Sequence, residues 1–232
     1  QTQAYIVQKL KEFGVDEVLV GYKNSPTAVI GVINPKKADA IGLRADIDAL
    51  PIKENTGLAF ESKAKGQMWG KTSDVSHMCG HDMHMAMLLS AARILAAHKA
   101  DVPRKVVLVF QPAEEGDSIT NPFVTDNPKL SGARALVEDG MLEQFGIKQM
   151  YGIHVMARVP AGKMLVAQGT ALNSADAFQI DIEGRQAHGA MPWTGVDATL
   201  AAAQTVVALQ QIVARNVNLT QGMGVITVGK LQ

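Results

Sequence analysis

The run V-V-L-V-F at residues 106–110 constrains this chain more than any other segment. An unbroken apolar, largely β-branched stretch has no polar face to offer water. It suits a central strand covered on both sides of its sheet. Such a strand needs helices to cover it, and neighbouring segments supply them. Residues 4–13 place Tyr5, Ile6, Leu10 and Phe13 on one helical face, with Gly14 as a stop signal. Residues 83–97 are rich in Ala, Leu and Met and contain neither Gly nor Pro, which predicts a second helix. Residues 131–139 predict a short third helix ending at Gly140. Strands are expected at 28–33, 41–47 and 150–155. Alternating helix and strand is the pattern of an α/β domain, a central sheet flanked by helices, over residues 1–170.

The pattern then changes. Phe178, Ile180 and Ile182 alternate with polar neighbours, as in a half-solvated antiparallel strand at 177–183. A loop at 184–195 follows, then a long Ala-rich helix at 196–216. Thr194 and Asp197 have the spacing of a capping box at its start. Residues 223–228 predict a second alternating strand. Residues 171–232 therefore read as part of a smaller α+β domain. The stretch 117–131, rich in Asn, Pro, Asp and Ser, reads as a surface loop.

Lys plus Arg equals Asp plus Glu at 22 each, so the chain lacks the basic excess that nucleic acid or an anionic membrane would require. No apolar run approaches the roughly 18 residues of a membrane span. The single cysteine, Cys79, excludes an intrachain disulfide framework and points to a reducing, cytoplasmic setting. No secretory signal is legible at the start.

Five segments could carry chemistry. Residues 76–84, S-H-M-C-G-H-D-M-H, hold three of the six histidines (His77, His81 and His84) around Cys79. Thiolate, imidazole and carboxylate together suit a borderline-soft divalent metal. Helix capping alone would require neither Cys nor three His. Q-P-A-E-E-G at 111–116 directly follows the buried run, and ligands of open α/β sheets sit beyond the carboxyl ends of strands. Glu114 and Glu115 could divide metal binding and general base between them, or form a solvated turn. His154 ends another expected strand and becomes a ligand only if it lies beside the first two segments. R-A-D-I-D-A-L-P at 44–51 is either a turn or a group that orients a metal-bound histidine. His188, in G-R-Q-A-H-G-A-M-P, has small neighbours that leave room around its ring.

Taken in order, these segments resemble the amidohydrolase branch of the zinc aminoacylase and carboxypeptidase superfamily, which includes hippurate hydrolases and hydrolases of indole-acetyl amino acids. The resemblance implies that Cys79, His81, Glu115 and His154 hold two divalent metal ions, Zn, Mn or Co. Glu114 would be the general acid/base, and Asp46 would support the ligands from behind. The smaller domain would be a ferredoxin-like lid that forms a homodimer and brings His188 to the partner's site. The implied reaction is metal-assisted hydrolysis of N-acyl amino acids. The chain departs from the family in length. It is expected to lack an upstream segment with a His-Pro-Glu motif, part of the smaller domain, and a final stretch carrying a further ligand histidine. Trp193 stands where His is common, and the 117–131 loop is longer than usual. Two alternatives stay open: a non-catalytic or truncated relative that binds a ligand or partner, and a cysteine hydrolase built on Cys79.

Overall fold

The computed structural model describes residues 1–118, 121, 123, 131–166, 168–169, 172 and 174–232. It divides into two units, 1–160 and 161–232. The boundary expected at 170/171 falls on residues outside the described set, and the division lies ten residues earlier.

The first unit is built on a five-stranded mixed sheet. Its strands are β1 (Glu17–Tyr22), β2 (Ser25–Ile33), β3 (Ala40–Asp46), β6 (Val106–Gln111) and β7 (Ile147–Gly152), in the order β1-β2-β6-β3-β7. β1 and β2 form an antiparallel hairpin, and β2 runs antiparallel to β6. β3 is parallel to both β6 and β7, so these three strands end on the same edge. A separate small hairpin joins β4 (Lys65–Met68) to β5 (Lys71–Asp74).

All six residues of β6 are buried, because both faces of the sheet are covered. Val106, Leu108 and Phe110 face a core shared with α1 (Thr2–Glu12) and α2 (His81–Ala97), through Ile6, Leu10, Met85, Leu88 and Ala92. Val107 and Val109 face the opposite core. There they meet Leu136 of α3 (Gly132–Glu138) and Met141 and Phe145 of α4 (Met141–Phe145). This is the two-sided burial that an unbroken apolar strand requires.

Some expectations shift. The last strand of the sheet is Ile147–Gly152, three residues before the expected 150–155, so His154 lies just beyond it. α2 begins at His81 rather than residue 83, bringing two histidines into its first turn. β1, β4 and β5 were not anticipated.

In the second unit the two expected strands do not form. Residues 177–183 and 223–228 carry no ladder, and the bridge between Arg185 and Val196 is the pairing found among the described residues there. Strand geometry is maintained by partner hydrogen bonds, and alternation alone supplies none. The long helix does form, as α5 (Ala198–Gln211) continued by a π-helical turn at Ile212–Asn216. The expected Thr194–Asp197 box is absent. Thr194 closes a 3₁₀ turn, and Asp197 is itself the cap, accepting the Leu200 N–H at 2.9 Å. No helix among the described residues is long and apolar enough to cross a membrane.

Candidate metal centre

The parallel strands β3, β6 and β7 deliver three segments to one edge. β3 leads into Asp46 and Asp48, β6 into Glu114 and Glu115, and β7 into His154. α2 starts at the same place, after a left-handed turn at Gly80 with φ +86°. A side chain at Gly80 would place its Cβ 2.2 Å from Val155 Cγ2, so the close approach requires glycine.

The structure brings Cys79, His81 and Glu115 together, with one donor atom from each lying within 4.8 Å of the others. His154 joins them, its Nε2 3.6 Å from Cys79 Sγ. Glu114 reaches the same space, with Oε2 3.7 Å from His81 Nε2. His188 lies in the second unit and is exposed. Its Nδ1 accepts the Ala190 N–H at 3.1 Å, which leaves the ring proton on Nε2.

His81 and His84 stand one turn apart and have different jobs. His84 uses both nitrogens within the protein. Its Nδ1–H donates to Asp46 Oδ1 at 2.6 Å, and its Nε2 accepts the Val155 N–H at 2.9 Å. His81 Nδ1 lies 3.0 Å from the Asp48 carbonyl, which can only accept, so Nδ1 carries the proton. Its Nε2 lone pair is then buried with no hydrogen-bond partner. Around it stand Asp46 Oδ2 at 3.6 Å, Glu114 Oε2 at 3.7 Å and Glu115 Oε1 at 3.9 Å. A buried lone pair ringed by carboxylate oxygens lacks a positive charge, and the Cys, His and carboxylate donors suit a divalent ion. The residues fit a metal.

The expectation for Asp46 was that it orients a ligand histidine. The group on the far nitrogen of His81 is instead the Asp48 carbonyl, while Asp46 faces the Nε2 side and fixes His84. Asp48 also accepts the Glu115 N–H at 2.9 Å. Burial works against the Asp46 charge, but the His84 hydrogen bond and then Arg44 outweigh it and hold the carboxyl below its ordinary range. Burial, then repulsion from Glu115 and Asp46, pushes Glu114 up. Burial, then Glu115, pushes the Cys79 thiol up to about 11. Without a metal it is a poor nucleophile at neutral pH, which weighs against a thiol hydrolase.

A cavity of about 500 Å³ opens beside Glu115 and Asp48. Leu50, Gln67, Ser73 and Pro112 help to line it, and no Lys or Arg does among the described residues.

The profile of Peptidase family M20/M25/M40 matches residues 42–228. An N-acetyl-L-cysteine deacetylase of Bacillus subtilis is 39% identical over 231 residues, covering 100% of this chain and 49% of the relative. A hippurate hydrolase of Campylobacter jejuni is 38% identical, covering 98% of this chain and 53% of the relative. The chain thus spans about half the length of the curated relatives it matches. A crystal structure of a dinuclear metal-binding M20 peptidase from Bacillus subtilis superposes with a TM-score of 0.54 at 33% identity, covering 69% of this chain and 38% of that one.

Proposed function

This chain belongs to Peptidase family M20/M25/M40, and on that premise we propose that it hydrolyses the amide bond of N-acyl amino acids with two divalent metal ions. The observation that carries the reading is the unpartnered, buried Nε2 of His81 among Cys79, Glu115 and Glu114. Cys79, His81, Glu115 and His154 are the proposed ligands, and Asp46 adds a fixed negative charge. Zn²⁺, Mn²⁺ or Co²⁺ would supply Lewis acidity and acidify a water molecule. Glu114 takes the proton of the attacking water and returns it to the leaving amine. Its raised carboxyl supports that role. Glu115 is less free to move, because its N–H is tied to Asp48.

His188 is proposed to hydrogen-bond the developing oxyanion across a homodimer. Its Nε2 proton supports a donor role. The uncovered apolar residues Phe178, Ile180, Leu200 and Val225 support an association surface in the second unit. Small acyl amino acids, rather than nucleic acid or membrane, are the proposed partners, in accord with the zero net charge; a cytoplasmic setting is proposed on the free Cys79.

Chelation is expected to abolish hydrolysis of an N-acyl amino acid, and Zn²⁺, Mn²⁺ or Co²⁺ to restore it. Hydrolysis that survives chelation would overturn the proposal. For the dimer, inactive His188→Ala and Glu114→Gln variants should recover activity when mixed, since a heterodimer holds one intact site. No recovery between variants of the full-length protein, or a full-length protein that is a monomer in solution, would end that part of the reading.

A further inference from the structure

The Glu114–Glu115 pair sits on backbone with no ladder of its own. β6 ends at Gln111, and residues 112–118 continue without helix or strand. Ala113 lies at φ +54° and Gly116 at +112°. A segment of that shape persists only where its neighbours over-determine it. On one side it is held by Asp48, through the Glu115 N–H. On the other it is held by Trp69 of the β4–β5 hairpin. The backbone N–H of Trp69 donates to the Ser118 carbonyl, and its indole Nε1–H donates to the Asp117 carbonyl, both at 2.8 Å. The ring also meets Phe123 edge-on, with centroids 6.5 Å apart.

The hairpin's own geometry shows that Trp69 is not there for the turn. Met68 pairs with Lys71, which leaves a two-residue loop of Trp69 and Gly70 at φ +50° and +77°. Two positive φ values define a type I′ turn, whose first position favours Asn, Asp or Gly. A bulky aromatic residue is costly there. Its side chain, occupied with Asp117 and Phe123, accounts for its presence.

We infer that Trp69 is a positioning residue for Glu114 and Glu115, gripping the two consecutive carbonyls just beyond them so that the pair keeps its place facing His81. The inference rests on the reading of that pair given under Proposed function.

Trp69→Asn is the informative variant. It gives the turn its preferred residue while removing the indole donor, so hairpin stability and grip are expected to move in opposite directions. Trp69→Phe keeps an aromatic ring and loses only the indole N–H. In the metal-free chain, hydrogen exchange at the amides of residues 115–118 should speed up in both variants. Zn²⁺ affinity, measured by competition with a chelating dye, should fall roughly tenfold, the lower end for loss of a group supporting a metal ligand. Unchanged exchange in both variants overturns the inference. So does faster exchange with undiminished Zn²⁺ affinity. If the wild-type chain takes up no Zn²⁺ while the exchange result holds, the metal reading fails and the grip on the loop stands.

Discussion

Replacing Gly80 with alanine tests whether the turn before α2 is as crowded as its geometry indicates. Two costs are separable. A non-glycine residue at φ +86° pays roughly 1–2 kcal/mol for left-handed backbone. The new methyl would also lie 2.2 Å from Val155 Cγ2, where about 3.5–4.0 Å is normal. Valine is stiff at χ1, so relief must come from its backbone. That backbone donates its N–H to His84 and accepts from His154 Nδ1. Overpacking of this kind costs about 1–3 kcal/mol, so Gly80→Ala should lose roughly 2–5 kcal/mol in all. Gly70→Ala is the control, with φ +77° and open space around it, and should show the backbone cost alone. Urea unfolding of the metal-free chain, read as a shift in midpoint at constant m, measures both. Val155→Ala in the Gly80→Ala background should recover about 1–3 kcal/mol as a coupling term. Equal losses for the two glycine variants, or zero coupling to Val155, would refute the steric argument.

Five further outcomes are expected. Glu114→Gln should keep its metal and lose turnover by roughly 10² to 10⁴, whereas Glu115→Gln should lose metal; the reverse, by metal analysis and kinetics, exchanges their roles. Zn²⁺ at 100 times its Kd should stabilise the chain by about 2.7 kcal/mol. Because the free Cys79 thiol is pushed up to about 11, uptake near neutral pH should release a proton that calorimetry in buffers of different ionisation enthalpy detects, and Cys79→Ser should abolish that release. The Asp16 carboxyl is held below its ordinary range by Lys99, against burial and with help from the Asn34 N–H. Its stabilisation is therefore present above the unfolded value of about 3.9 and lost as pH falls through the lower folded one; Asp16→Ala should cost roughly 0.5–1 kcal/mol at pH 7, and the gap should close on acidification. Leu108→Ala, deep in the sheet, should cost about 2–5 kcal/mol in the same unfolding assay.

What could be read from the sequence follows from what each segment contacts. β6 was legible because both its faces meet apolar neighbours, and α2 because its composition permits little else. β4 and β5 were not, because K-G-Q-M and K-T-S-D carry no apolar alternation. Their pairing rests on contacts such as Lys65 with Asp74 and Gln67 with Thr72, which exist only once the strands meet. The pattern at 150–155 lies three residues past β7 because the partner strand β3 sets the extent of β7, whose exposed residues carry no signal of their own. In the site, the residue types and their order were visible, but the use of each nitrogen was not. His81 and His84 look alike in sequence, and only the Asp46 and Val155 contacts show that His84 is spent. Asp48 has no task legible in the sequence, because its partners, His81 Nδ1 and the Glu115 N–H, lie more than thirty residues away. Trp69 left no sequence signal, since its carbonyl partners lie about fifty residues away.

The three parallel strands that end on one edge also set when the site can exist. Asp46, His81, Glu115 and His154 come from successive segments more than thirty residues apart, joined through β3, α2, β6 and β7. No short stretch of the nascent chain contains the site, and contacts so distant in sequence form late, after the entropy of closing long loops has been met. An ion held by this set reports that the sheet has closed. Metal occupancy is then coupled to the last stage of folding, and scarcity of the ion would leave the folded state less populated before any chemistry is attempted.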